Sequence, residues 1–308
     1  MSRANDDASP FHAGERAVQQ QSGVRERADR LGPMFRDFMP DQHRELFEEL
    51  PWLLVGGLDE AAQPWASVLV GEPGFVRAPD PYTLEVHASL PQGDPLASGL
   101  MPGRALGLLG IQLDTRRRNR LNGHVVAAAE GGFVVHVDQS FGNCPKYITR
   151  RAPSFLPEHS PPPSAAEGGV LSERALACIA AADTCFIASV SSDRDAPHDT
   201  REGADVSHRG GPAGFVQAVR EGERTRLYVP DYPGNNAFNT LGNLARFPRA
   251  GLLFPHFDSG DVLSLTCDVE ILWDGAQRAL RFDVRGGRYF PARLPFRWLT
   301  LPPRTDGT

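Results

Sequence analysis

Lysine is nearly absent from this 308-residue chain. Of its 32 basic residues only Lys146 is a lysine, and the other 31 are arginines. An anion site must therefore be built from arginine, backbone N–H groups or hydroxyls. A basic excess is lacking too. The 32 basic residues face 38 acidic ones, for a net charge of −6, which argues against a nucleic-acid partner. No apolar run approaches the ~18 residues needed to cross a bilayer, so no membrane partner is expected. The start, MSRANDDASPFHAGER, has no apolar core of a secretory signal. Cysteine is sparse: Cys144, Cys178, Cys185 and Cys267 show neither CxxC nor metal spacing. Reduced thiols in a cytoplasmic protein are the expectation.

Catalytic signatures are missing as well. There is no GxSxG elbow, no HExxH, no GxxxxGK[ST] and no GxGxxG after a strand. His12, Glu15, His198, Asp199, His208 and His256 are scattered along the chain, and no metal is expected.

Glycine and proline are plentiful, at 31 and 27 residues. That suits many short strands joined by turns. Helices are expected at 15–31, ended by Gly32 and Pro33, and at 41–50, with Asp41 as N-cap and Leu46, Phe47 and Leu50 on one face. Strands are expected at 52–55, 64–70, 82–87, 105–111, 117–128 and 132–138. A Pro/Ser-rich stretch without periodicity follows, and then a helix at 171–182. A second strand series runs through 185–190, 205–211, 228–229, 250–254, 262–272 and 278–284.

The two series match. Gly71-Glu72-Pro73-Gly74-Phe75-Val76 aligns with Gly211-Pro212-Ala213-Gly214-Phe215-Val216, and Gly107-Leu108-Leu109 with Gly251-Leu252-Leu253. The near-constant offset argues for an internal duplication. Four segments follow: an N-terminal helical lead at 1–40, a first copy at 41–153, a linker at 154–169 and a second copy at 170–308. The expected class is mainly β with flanking helices (α+β), two small β-domains packed as a pseudo-dimer around a groove.

The candidate chemistry is an anion site on strands. Asp205, Ser207 and Arg209 alternate and so share one face of a strand. A guanidinium fork beside a hydroxyl suits a phosphate, with Gly210 and Gly211 permitting close approach. Asn235 and Asn236 lie in the turn after the next strand and offer amide donors. In the first copy the aligned positions are Trp65, Ser67 and Leu69, so the cation is lost there. A second basic cluster, Arg116 to Arg118 and Arg120, fits either an anionic ligand in the groove or a solvated hairpin paired with carboxylates. In a pseudo-dimer, Arg209 of one copy and this arginine strand of the other can serve a single site.

Several phrases carry a resemblance: DVSHRGGPAGFV at 205–216, LYVPDYPGNN at 227–236, LGNLARFPRAGLLF at 241–254, PWASVLVGEPGFV at 64–76, TRRRNRLNG at 115–123 and QSFGNCPKYITRR at 139–151. The chain resembles the pyridoxamine 5′-phosphate oxidase-like flavoproteins of the FMN-binding split-barrel superfamily, in a tandem two-barrel subgroup. The resemblance covers roughly residues 40–300. It implies two Greek-key split barrels, with FMN held where they meet. Carried over residue by residue, it implies that Ser207, Arg209, Asn235 and Asn236 hold the FMN phosphate. Arg117, Arg118 and Arg120 would complete the site from the other copy.

The implied function is an FMN-dependent oxidoreductase acting on a small molecule. Reduced nicotinamide or a partner flavoprotein would be its electron donor, and a homodimer is compatible with the pattern. No lysine lies near Arg209, and the family's RxHxR motif is missing, its nearest echo being Arg293-Leu294-Pro295-Phe296-Arg297. True pyridoxamine-phosphate oxidase activity is therefore not expected. A non-catalytic flavin- or haem-binding protein, or a cofactor-free scaffold, are the alternatives. In FGNCPKYI, Cys144 is either a structural cysteine ending a strand or a thiol made reactive by Lys146, Arg150 and Arg151, and Lys146 is either a structural residue or a flavin or substrate contact.

Overall fold

The computed structural model describes residues 9–192, 199–275 and 277–302. His198 lies outside them. The protein is mainly β, built on antiparallel sheets, none of them closed.

Three helices lead in: α1 (Ala13–Gln21), α2 (Arg25–Asp29) and α3 (Asp41–Glu49). The single helix expected at 15–31 is thus two, broken where Gly23 takes φ +66°. Asp41 is the first residue of α3 and not its cap. Pro40 holds the cap position in an extended conformation, and its side chain has no oxygen with which to make a cap bond. The apolar face of α3 buries Leu46 and Phe47.

The first sheet holds β1 (Trp52–Leu58), β2 (Pro64–Val70), β3 (Val76–Asp80), β4 (Thr83–Val86), β5 (Ala105–Gln112), β6 (Arg117–Ala129) and β7 (Gly132–Gly142). Their order is β2-β1-β5-β6-β7-β4-β3. Two short strands follow, β8 (Arg151–Phe155) and β9 (Ala165–Glu167). The stretch read as a linker is therefore tied down at both ends. Glu167 is buried and accepts bonds from the Ser172 backbone and hydroxyl at the head of α4 (Glu173–Ala181).

The second sheet holds β10 (Thr184–Val190), β11 (Ala204–Gly210), β12 (Gln217–Glu221), β13 (Arg224–Pro230), β14 (Arg249–Pro255), β15 (Val262–Asp274) and β16 (Gln277–Phe290). Between β13 and β14 lies α5 (Asn239–Arg246), and β17 (Phe296–Thr300) pairs with β8. The strand order, β11-β10-β14-β15-β16-β13-β12, repeats the first sheet strand for strand, with β9 added against β16.

Register repeats as well. Val55 pairs Ser67 and Leu108, and Ile187 pairs Ser207 and Leu252. This makes Ser67 equivalent to Ser207 and Leu69 to Arg209, as the sequence offset requires.

The sheets meet through β5 on β11 and β14 on β2. Gly107 lies against the Asp205 backbone and Gly251 against the Trp65–Ala66 backbone, so a Cβ at either would meet main chain. One apolar cluster draws on both sheets. Trp52, Leu54, Val68 and Leu109 of the first pack with Phe186, Val206, Leu253 and Phe290 of the second.

Candidate functional site

The site forms where β6 of the first sheet faces β11 of the second. Alternation along β6 divides its arginines. Arg118 and Arg120 point into the seam, while Arg117 turns outward, is exposed and donates to the Gln42 carbonyl at 3.2 Å. Arg117 thus stands apart from the other expected contacts.

Arg120 is buried, and its Nη1 reaches both carboxylate oxygens of Asp205, at 3.0 and 3.1 Å, and Asn239 Oδ1 at 3.2 Å. Arg118 donates to His208 Nδ1 at 2.9 Å and to the Cys144 carbonyl. Arg209 approaches Asp231 at 3.8 Å, and Arg278 binds the same carboxylate at 2.9 Å. Three guanidinium groups, those of Arg120, Arg209 and Arg278, therefore share two carboxylates, Asp205 and Asp231, and Arg118 bonds neither. The Nε atoms of Arg118, Arg120 and Arg209 are buried without a partner. Burial first, then the charges of Arg120 and Arg209, push the Arg118 guanidinium down from its ordinary value. Burial and the same arginines hold His208 neutral, well below the usual histidine range.

The second half of the site comes from α5. Phe238 caps it in the left-handed region without a side-chain bond, and the first helical bond runs from the Gly242 N–H to the Phe238 carbonyl. The N–H groups of the first turn are thus left for a ligand. Ser207 Oγ bonds Asp205 at 3.0 Å and Thr240 Oγ1 at 2.6 Å. Together Arg120, Ser207, Arg209, Asn235, Asn236 and the α5 turn line a cavity of about 60 Å³. That holds a phosphoryl group or a few waters, since one water needs roughly 10–15 Å³ on this measure. It falls far below the ~300 Å³ of a pocket enclosing a whole cofactor. The phosphoryl end of FMN fits this donor set. A flavin ring finds no enclosure in the cavity itself. At its mouth Tyr232 stacks on Tyr147, with centroids 5.3 Å apart.

Behind the cavity a residue overlooked in the anion reading completes the network. Glu15 of α1 is buried, accepts from the His12 N–H at 2.9 Å, and accepts from the Asn239 side-chain amide. Asn239 in turn accepts from Arg120. Burial pushes the Glu15 carboxyl up to about 8 and the His12 ring down to about 4. Asn239, Thr240 and Arg278 were also missed. The apolar spacing Leu241, Leu244 and Phe247 was the available signal for α5.

Cys178 and Cys185 are buried, and burial pushes both thiols up to about 12. Cys267 is buried too. Cys144 is half-buried and offers its carbonyl, not its sulfur, to Arg118. Among the described residues no three His, Cys, Asp or Glu gather as a metal site, and no helix is long and apolar enough to cross a membrane.

No family model and no curated protein matches the sequence. Solved structures that match include a conserved protein of unknown function from Corynebacterium diphtheriae, 14% identical, covering 42% of this chain and 99% of that one at a TM-score of 0.29. HutZ, the haem storage protein from Vibrio cholerae, is 10% identical, covering 40% and 95% at 0.26. A protein provisionally assigned to 5-nitroimidazole antibiotic resistance, from Bacteroides thetaiotaomicron, is 13% identical, covering 45% and 98% at 0.27.

Proposed function

We propose that the chain is a tandem pair of split barrels that binds FMN by its phosphate at the β6–β11 seam and serves as an FMN-dependent oxidoreductase. One observation carries the reading: buried arginines in excess of carboxylates, with unpartnered Nε donors, beside the open first turn of α5. A phosphate supplies the missing negative charge and the missing acceptors. Arg209, Arg120 and the α5 N–H groups bind it, and Ser207 lies beside it, turning its one hydroxyl proton to the phosphate in exchange for its bond to Asp205; Thr240 and Asn239 orient these groups. When bound, FMN supplies hydride or electron transfer. Reduced nicotinamide or a reductase is the donor under this proposal, and the substrate is a small molecule.

The test is a visible absorption spectrum of the purified protein before and after loading with FMN and desalting. Flavin bands that survive desalting support the proposal, and NAD(P)H is then added to look for bleaching. A protein that stays colourless overturns FMN binding. Retained flavin that no donor reduces supports a non-catalytic flavin carrier instead.

A further inference from the structure

A larger cavity, of about 350 Å³, lies away from the β6–β11 seam and shares no lining residue with the phosphoryl-sized one. It forms where the β8–β17 ribbon meets the first sheet, ring to ring, through Trp298 and Trp52. Trp52 of β1, Ile111 of β5, Phe155 of β8 and Trp298 of β17 give it an apolar, largely aromatic wall. Trp298 packs edge-on against Trp52, Phe257 and Phe296, with centroids 5.3, 5.1 and 5.3 Å apart. The wall is thus assembled before any ligand arrives, and the volume lies in the range that encloses a small organic molecule, ~300 Å³ and above.

The charged residues that line this cavity are all of one sign. They are Glu49, Glu72 and Asp114, with no arginine or lysine among the lining residues, in a chain otherwise rich in arginine. The arginines that enter β8 are committed elsewhere. Arg150 donates to the Asp114 and Pro302 carbonyls, at 2.8 and 2.7 Å, and Arg151 pairs with Asp183 at 2.8 Å. Gln112 donates to Glu49 Oε2 at 2.9 Å and accepts from the Thr115 hydroxyl at 3.0 Å, which holds that carboxylate at the cavity. Glu49 is also the last residue of α3, a helix with no basic residue in its final turn. The negative end of the helix dipole therefore adds to the carboxylates, where a cation would offset both.

We propose that this cavity is a second binding site, independent of the phosphate site, for an organic ammonium ion carried on an aromatic body. The body packs against Trp298 and Phe155, and the ammonium lies among Glu49, Glu72 and Asp114. Apolar burial supplies affinity, and charge supplies selection, because a neutral or anionic molecule of the same shape gains no such attraction.

The experiment is calorimetric titration of the whole chain at low ionic strength with tryptamine. Its neutral counterpart tryptophol and its anionic counterpart indole-3-acetate are titrated in parallel. Tryptamine is expected to bind at one equivalent per chain, tryptophol about fivefold more weakly or worse, and indole-3-acetate not at all over the same range. Glu72→Gln and Asp114→Asn keep side-chain size and remove charge. Each is expected to weaken tryptamine about two- to fivefold, the worth of one partly exposed ion pair, and to do so less at high salt. Phe155→Ala, at a wall residue that is itself exposed, is expected to weaken tryptamine and tryptophol alike. Arg209→Ala is expected to change neither. Failure of tryptamine to bind overturns the proposal, as does equal binding by tryptophol or indole-3-acetate. Unchanged affinity in both carboxylate variants overturns it too. So does loss of tryptamine binding in Arg209→Ala, which would put the ligand in the β6–β11 seam.

Discussion

At the scale of single residues the proposed anion site is a balance of arginines and carboxylates. Arg209 is the least committed of its arginines, with Asp231 only at 3.8 Å and shared with Arg278. Arg209→Ala is expected to weaken FMN binding by about 1.5–3 kcal/mol, the worth of a charge-assisted bond, or about 10- to 150-fold. A flavin fluorescence titration reads this directly. Arg117→Ala, which removes an outward-facing side chain, is expected to leave that affinity unchanged; equal losses in both variants would refute the assignment. Glu15 gives a second prediction, through pH. Its folded carboxyl sits at about 8 against an ordinary 4.5, so between those values the folded state holds more protons than the unfolded one. Stability is then fully present below about 4.5 and lost as pH rises toward 8. His12, lowered to about 4, acts in the opposite sense, but only below its ordinary 6.5. Between pH 6.5 and 8 the Glu15 effect stands apart from that of His12. Urea denaturation is expected to show a wild-type loss of about 1–2 kcal/mol over this interval. The loss should vanish in Glu15→Gln, whatever that variant's absolute stability.

At the scale of elements the decisive contact is α1 on α5. A Cβ on Gly14 would meet the Gly242 carbonyl and Arg246, and a Cβ on Gly242 would meet Glu15. The helices cross where neither has a side chain, and this closeness carries Glu15 to Asn239. Gly14→Val is therefore expected to lift α1 away, which hydrogen exchange would register as lost protection in both helices. Retained protection would show that α1 docks by its other contacts. None of this docking was legible in the sequence, because a glycine in a helix announces nothing about which partner it approaches. Strands were legible where burial alternates or runs apolar, as in β2, β5 and β6. The edge strands β3 and β12 were missed, their sequences being mostly exposed and charged or short. α5 was hidden by its cap, since Phe238 carries none of the side-chain oxygens that mark a helix start. Strand alternation put Ser207 and Arg209 on one face, and both line the cavity, as does Arg120 of β6. Arg117 entered the site by its place in the basic cluster and by the family resemblance, and the structure turns it outward.

At the scale of the molecule each sheet has a core cluster of its own, and the two share a third. The cluster around Trp52 and Phe186 belongs to neither sheet alone, and its side chains lose water only when both are in place. Two domains joined by a linker and a polar interface would melt separately. Two sheets joined by a shared apolar cluster should melt together, in a single calorimetric transition whose van't Hoff and calorimetric enthalpies agree. The seam supplies a way to disturb that union from one position. At Gly251 a side chain would meet the backbone of Trp65 and Ala66, which cannot rotate aside as a side chain can. Gly251→Val is expected to cost at least the ~1–3 kcal/mol of ordinary overpacking. The melting temperature should then fall by several degrees while the transition stays single, because the sheets lose their fit and their cooperation at once. If instead the variant splits the transition in two, with one part at the wild-type temperature, then one sheet keeps its stability without the other. The shared core would in that case contribute packing but not cooperativity, and the anion site at the β6–β11 seam would depend on docking between two independently folded bodies.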